Sequence, residues 1–135
     1  MRFVDTNVLL YRVSSDPAEV EKAERSESIL KEEDLCLSVQ VLQEFYVQAT
    51  WITKPGAISH EHAVGLIHGF KRYPVSDLTI AVVEAALISR HRWSISYWDA
   101  AIVESARAMG CPIVLSEDLS HEIDYDGVRV VNPFA

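Results

Sequence analysis

Phe3-Val4-Asp5-Thr6-Asn7 places a carboxylate directly after an apolar strand and immediately before a helical turn. An acidic side chain adds nothing to a hydrophobic core, and it costs free energy if it loses water without gaining a partner. The stretch therefore predicts a short strand that feeds straight into a helix, with Asp5 at the junction. Taken alone, Asp5 is explained equally well by helix capping and by ligand binding.

Three further acidic residues, Glu44, Asp99 and Asp118, occupy comparable positions later in the chain. Asp118 follows a predicted strand, and Asp99 opens a predicted helix. Glu44 belongs to a helical stripe that should turn toward the core, made up of Val41, Glu44, Phe45 and Gln48. Several carboxylates brought together repel one another, and a hard divalent cation with oxygen ligands would offset that repulsion.

Strands and helices alternate along the chain. The predicted strands cover residues 2–5, 35–38, 73–75, 113–115 and 128–131. The predicted helices cover residues 6–12, 17–33 after an Asp16 cap, 39–51 after a Ser38 cap, 59–71, 78–91 after an Asp77 cap, and 97–109 before Gly110.

This alternation indicates an α/β fold with three α/β/α layers and a central, mostly parallel sheet. With 135 residues and no linker or repeat, we expect one domain over residues 1–135. Ligands bind such sheets at the carboxyl ends of the strands. Asp5 and Asp118 would therefore meet if the first and fourth strands are neighbours.

Charge and composition restrict the function. A net charge of −8 disfavours a protein that binds nucleic acid through a general electrostatic field. It does not exclude a nucleic-acid substrate, because a bound metal would neutralise the clustered acids. The chain has no apolar run long enough to span a bilayer and no signal-peptide pattern. Cys36 and Cys111 lack metal-type spacing, so we expect buried free thiols and a cytoplasmic location.

Five segments, in chain order, resemble the PIN domain and, in detail, the VapC-type toxins of bacterial toxin–antitoxin pairs. They are Phe-Val-Asp-Thr-Asn, Gln-Glu-Phe, Trp-Asp-Ala-Ala-Ile, Leu-Ser-Glu-Asp-Leu and the final Val-Asn-Pro-Phe. The resemblance covers nearly the whole chain. It implies a metal-dependent endoribonuclease that hydrolyses RNA phosphodiester bonds, forms a homodimer and is inhibited by a small antitoxin protein encoded beside it.

The resemblance implies a set of site residues. Its catalytic and metal-binding residues would be Asp5, Glu44, Asp99 and Asp118. Its supporting polar residues would be Thr6, Asn7 and Ser116. Glu117 is adjacent to Asp118 and either could reach the metal, although the resemblance favours Asp118. Mg²⁺ or Mn²⁺ suits these oxygen ligands, and Glu44 would either bind a second ion or orient the attacking water.

Two alternative functions remain open at the level of sequence. A receiver-type signalling domain also has a parallel sheet and a Mg²⁺-binding acidic pocket, but it requires adjacent acids after its first strand and a lysine after a late strand. Here Asp5 stands alone, and Ser116-Glu117-Asp118 contains no lysine. A catalytically silent PIN-like binding module is the second alternative. The presence of all four acids argues against it.

Apolar residues near the end of one predicted helix also suggest a protein partner. Four apolar or aromatic residues lie near the end of one predicted helix: Phe45, Tyr46, Trp51 and Ile52. This is more apolar bulk than one core-facing stripe needs. Surplus apolar surface on a small domain is often covered by a partner, which agrees with the homodimer that the resemblance implies.

Overall fold

A five-stranded sheet runs through the computed structural model, which describes every residue from Met1 to Ala135. Its strands are β1 (Arg2–Val4), β2 (Leu35–Ser38), β3 (Val75–Ser76), β4 (Ile113–Leu115) and β5 (Arg129–Val131). Their spatial order is β3-β2-β1-β4-β5, and each neighbouring pair is parallel. The predicted parallel sheet is confirmed, with β1 at its centre and β4 beside it.

Six α-helices connect the strands: α1 (Thr6–Arg12), α2 (Val20–Ile29), α3 (Val39–Ala49), α4 (His60–Phe70), α5 (Ile80–Trp93) and α6 (Tyr97–Ala108). They form two packed groups. Helix α1 contacts α2 and α3, and α3 contacts α4. Helix α5 packs along α6, which contacts β2 and β4. The predicted α/β/α architecture is confirmed, and no helix combines the length and apolar character needed to cross a membrane.

Local capping explains why several helices begin and end where the sequence predicts. The Ser38 hydroxyl accepts a hydrogen bond from the Val41 N–H at 3.2 Å, which fixes the start of α3. Gly110 follows the end of α6 with a φ of +71°, as predicted for a C′ glycine. A residue with a Cβ would be strained in this left-handed conformation.

Two predicted helix boundaries are wrong. Asp16 caps only a single 3₁₀ turn over Pro17–Glu19, and the α-helix that follows ends at Ile29 instead of continuing to Glu33. The segment after Ile29 is rich in acidic residues, which interact unfavourably with the negative end of a helix dipole. This shorter helix also leaves room for the chain to turn into β2.

The start of α5 also differs from the prediction. Thr79, not Asp77, caps this helix, and its hydroxyl accepts from the Val82 N–H at 3.2 Å. Asp77 cannot begin the helix because Ser76 beside it still pairs with Ser38 of β2. Smaller shifts occur elsewhere. Helix α3 ends at Ala49, helix α5 reaches Trp93, β3 is displaced to Val75–Ser76, and β5 begins at Arg129.

The hydrophobic core surrounds the central strands. Phe3 and Val4 of β1 are fully buried, as is Phe45 of α3. Phe45 packs edge to face against Phe70 of α4 with ring centroids 5.2 Å apart. Burying these side chains holds α4 against α3, and α3 against the sheet.

We expect Phe45→Ala to lower the free energy of unfolding by about 3–5 kcal/mol, because it leaves a cavity in the core. Urea denaturation followed by circular dichroism would measure the change. Val47 lies on the same helix but is 50% exposed, so Val47→Ala is a matched control. The control should change stability by less than about 1 kcal/mol. Equal effects of the two substitutions would contradict this packing.

Candidate active site at the carboxyl edge of the sheet

The pairing of β1 with β4 places the residues that follow these strands side by side. Val4 is in register with Leu115, and the Asp5 N–H donates to the Leu115 carbonyl at 3.0 Å. The Ser116 hydroxyl then donates to Asp5 Oδ2 at 2.7 Å. The prediction that the first and fourth strands are neighbours is therefore confirmed.

Asp5 is the most buried of the four acids, with 5% of its surface exposed. Its Oδ1 accepts from the Thr6 N–H at 2.7 Å, so it does cap α1. Burial raises its pKa to about 7, although hydrogen bonds from Ser116 and Thr6 act in the opposite direction. The negative charges of Glu44 and Asp118 raise the pKa further.

Asn7 connects the two strand ends. Its side-chain nitrogen lies 3.2 Å from Ser116 Oγ, 3.3 Å from Asp118 Oδ2 and 3.5 Å from Asp5 Oδ2. Its side-chain oxygen accepts from the Glu117 N–H at 3.1 Å. This buried amide therefore ties both ends of the acidic segment after β4 to the start of α1.

Glu44 reaches the same edge from α3 and is half-buried. Its two oxygens accept from Thr6 Oγ1 at 2.7 Å and from Gln40 Nε2 at 2.8 Å. Gln40 is buried and lies one helical turn before Glu44, so its place on the same face was readable from spacing, although we did not predict it. The predicted inward position of Gln48 is wrong, because that side chain is exposed.

Asp99 lies in the first turn of α6 and is half-buried. Ser96 caps this helix, since its hydroxyl accepts from the Asp99 N–H at 3.1 Å, so Asp99 is not needed as the cap. Burial raises the pKa of Asp99, the Ser96 hydrogen bond opposes this shift, and the charges of Asp118 and Glu44 add to it. Asp118 itself is exposed, with its N–H bonded to Ser116 Oγ at 3.1 Å.

Glu117 is directed away from these acids. Lys22 and the Tyr11 hydroxyl both bond to its carboxylate. Burial acts to raise the pKa of Glu117, but the contacts with Lys22 and Tyr11 outweigh it and the pKa is lowered. The structure thus directs these two adjacent acids to different surroundings; the residues alone left the choice between them open, and the resemblance favoured Asp118.

The donor set at this edge suits a hard divalent cation. As the side chains stand, no three acidic, histidine or cysteine residues are close enough to hold a metal ion as a group. Asp118 is exposed and Asp99 is half-buried, so both side chains can turn without disturbing the core. The available ligands are all carboxylate oxygens, with no nearby histidine or cysteine cluster, which fits Mg²⁺ or Mn²⁺ and not a structural zinc site.

A family model for the PIN domain matches residues 2–122, which include all four acids. The chain belongs to the PIN-domain family. This match excludes the receiver-type interpretation. The strand order excludes it as well: receiver domains have the order 2-1-3-4-5, whereas the order in this PIN domain is 3-2-1-4-5. No curated protein matches the chain significantly.

Solved structures with the same fold include several toxin–antitoxin proteins. One is from a Klebsiella pneumoniae toxin–antitoxin complex, with 15% identity, a TM-score of 0.71 and 98% of each chain covered. Another is FitAcB from Neisseria gonorrhoeae, with 21% identity, a TM-score of 0.67 and 99% of each chain covered. A third is Mycobacterium tuberculosis VapC20, a toxin that cleaves the sarcin-ricin loop; here identity is 18%, the TM-score is 0.68, and 87% and 92% of the two chains are covered. At these identities the likeness establishes the fold.

The raised pKa of Asp5 predicts how the stability of the metal-free PIN domain depends on pH. The folded-state pKa is about 7, whereas an unfolded aspartate titrates near about 3.9. Between these values the folded state retains a proton that the unfolded state has released. The contribution of Asp5 to the free energy of unfolding must therefore fall as the pH rises through this window.

We expect Asp5→Asn to remove this dependence and to stabilise the metal-free protein at pH 8 by about 1–3 kcal/mol relative to wild type. At pH 5 the advantage should be clearly smaller, because the folded wild-type protein is then protonated at Asp5. It should disappear only below about pH 4, where the unfolded chain takes up the same proton. Urea denaturation in the presence of a chelator would measure both differences. A difference of the same size at both pH values would contradict the raised pKa.

Proposed function

We propose that this PIN domain is a Mg²⁺- or Mn²⁺-dependent endoribonuclease that acts as the toxin of a toxin–antitoxin pair. The observation that carries the proposal is the placement of Asp5, Glu44, Asp99 and Asp118 around one edge of the sheet. The charges of Glu44 and Asp118 act there on both Asp5 and Asp99. The family match supports nuclease chemistry. VapC20, which has the same fold, is described as cleaving the sarcin-ricin loop, and this supports RNA as the substrate.

Asp5, Asp99 and Asp118 are the proposed metal ligands. When bound there, Mg²⁺ or Mn²⁺ would activate a water molecule and neutralise charge on the phosphate oxygens. Asp5 is held by Ser116 and the Thr6 backbone, so it provides the fixed ligand of the three. The raised pKa values of Asp5 and Asp99 show that the metal-free site disfavours negative charge, which a cation would relieve.

Glu44 has a different proposed role. Both of its oxygens already accept hydrogen bonds, from Thr6 and Gln40, so its carboxylate is held in one orientation. Each oxygen retains a further lone pair that can accept a proton from an attacking water. We propose that Glu44 orients this water, and that Thr6 and Gln40 fix the direction of the Glu44 carboxylate.

The remaining features of the proposal concern the whole chain. Residues 1–135 would act as a single nuclease domain. Cys36 and Cys111 are buried free thiols, which agrees with a protein of the reducing cytoplasm.

Cleavage of RNA in the presence and absence of Mn²⁺ tests this function. We expect endonucleolytic products that disappear when the metal is chelated. Asp118→Asn should reduce the rate by at least about 100-fold, because it removes a proposed ligand without disturbing the core. Glu84→Gln, an exposed substitution on α5, is the matched control and should retain full activity.

The same experiment distinguishes the silent binding module. A protein that binds RNA but leaves it intact at saturating Mn²⁺ would favour that alternative and contradict the proposed nuclease. Equal activity of Asp118→Asn and wild type would instead remove Asp118 from the site.

We propose two protein partners, a second copy of the chain and a small antitoxin. The homologous fold occurs in toxin–antitoxin complexes, including one from Klebsiella pneumoniae. Apolar surface is available, since Trp51 is 58% and Ile52 is 92% exposed. Phe45, however, is fully buried and does not belong to this surface, and Tyr46 is only half-exposed.

Light scattering tests the homodimer, and we expect the mass of two chains at micromolar concentration. A monomeric mass would contradict this half of the proposal. Co-expression with the adjacent small gene tests the antitoxin, which should relieve growth arrest and co-purify with the toxin. Relief without complex formation would contradict direct inhibition.

A further inference from the structure

A hydrogen-bonded cluster next to the carboxylate site joins α1, α2 and the loop that follows β4. The Tyr11 hydroxyl donates to Glu117 Oε2, and Lys22 Nζ donates to Glu117 Oε1. Lys22 Nζ is also 3.3 Å from the Tyr11 hydroxyl and 4.9 Å from the centroid of its ring. Tyr11 packs edge to face against Phe134 at 4.9 Å. Both oxygens of Glu117 are thus engaged outside the proposed metal site.

Glu117 is linked to the site through its backbone. Its N–H donates to Asn7 Oδ1 at 3.1 Å, and Asn7 Nδ2 lies 3.3 Å from Asp118 Oδ2. No helix or strand lies between β4 and β5, so the direction of this loop depends on such contacts. Anchoring the side chain of Glu117 therefore restrains where the next residue, Asp118, can point, in addition to the hydrogen bond from the Asp118 N–H to Ser116 Oγ.

We propose that Lys22 and Tyr11 are positioning residues for the metal site: by holding Glu117 they keep its carboxylate out of the site and direct Asp118 into it. The inference rests on the proposed function, because it concerns the same cation. It assigns a role to two residues that no sequence motif marked, and it explains why only one of two adjacent acids faces the other carboxylates.

The charge of Lys22 provides a sharp test of this role. Lys22 is a cation close to a cation site, so electrostatics alone predicts that removing it tightens Mn²⁺ binding. Loss of positioning predicts the opposite result, because Asp118 would lose its fixed direction. The sign of the change in Mn²⁺ affinity therefore separates the two effects.

Calorimetric titration with Mn²⁺ on the full chain makes this measurement. We expect Lys22→Met to bind Mn²⁺ about tenfold more weakly than wild type and Lys22→Arg to recover most of the affinity. Tyr11→Phe removes one hydroxyl and no charge, and it should weaken binding in the same direction. Lys31→Met is the matched control: Lys31 follows the end of α2 and pairs with Glu27 of that helix at 3.9 Å, with no contact to Glu117. Its affinity should equal that of wild type.

Thermal melts of each variant would show that it is folded, and if Lys22→Met does not fold, Tyr11→Phe decides the matter. Unchanged or tighter Mn²⁺ binding by Lys22→Met, or by Tyr11→Phe in its place, would overturn the inference while leaving the proposed function intact. Absence of Mn²⁺ binding by the wild-type protein would instead contradict the proposed metal site, and the inference with it.

Discussion

The parallel pairing of β1 with β4 is the constraint on which the site depends. Because Val4 and Leu115 are in register, Asp5 and Ser116 leave the sheet side by side and bond directly to each other. Asn7 can then reach Asp118 across the same edge. The pairing of β1 with β4 thus brings carboxylates together at an edge of the sheet where Asp5 has little access to water. The raised pKa of Asp5 is the electrostatic cost of this arrangement, and a bound cation would offset it.

The sequence predicts the fold well wherever local chemistry decides the outcome. Ser38 and Gly110 mark helix ends correctly because a cap or a left-handed residue acts within a few positions. The prediction fails where two local signals compete. Asp77 and Thr79 are both good caps, and Thr79 is used because β3 pairs with β2 through Ser76. That pairing is a tertiary contact, and nothing in the local sequence shows it.

The candidate site was likewise predictable from the sequence only in part. The four acids stand out because carboxylates beside apolar runs are unusual. The family resemblance then assigns them to one catalytic and metal-binding site. Gln40 was readable from its helical spacing to Glu44. The contact of Lys22 with Glu117 was not, because the two residues are 95 positions apart and each looks like an ordinary surface charge. Contacts of this kind depend on how α1, α2 and the loop after β4 pack together, which single-sequence patterns do not reveal.

Anomalous diffraction from crystals grown with Mn²⁺ would test the proposed metal site without reference to activity, because it locates the ion itself. We expect an anomalous peak between the carboxylates of Asp5, Asp99 and Asp118, at metal–oxygen distances of about 2.0–2.6 Å. The Glu117 carboxylate should remain on Lys22 and Tyr11. A peak coordinated by Glu117 in place of Asp118, or no peak at this edge of the sheet at saturating Mn²⁺, would contradict the proposed site.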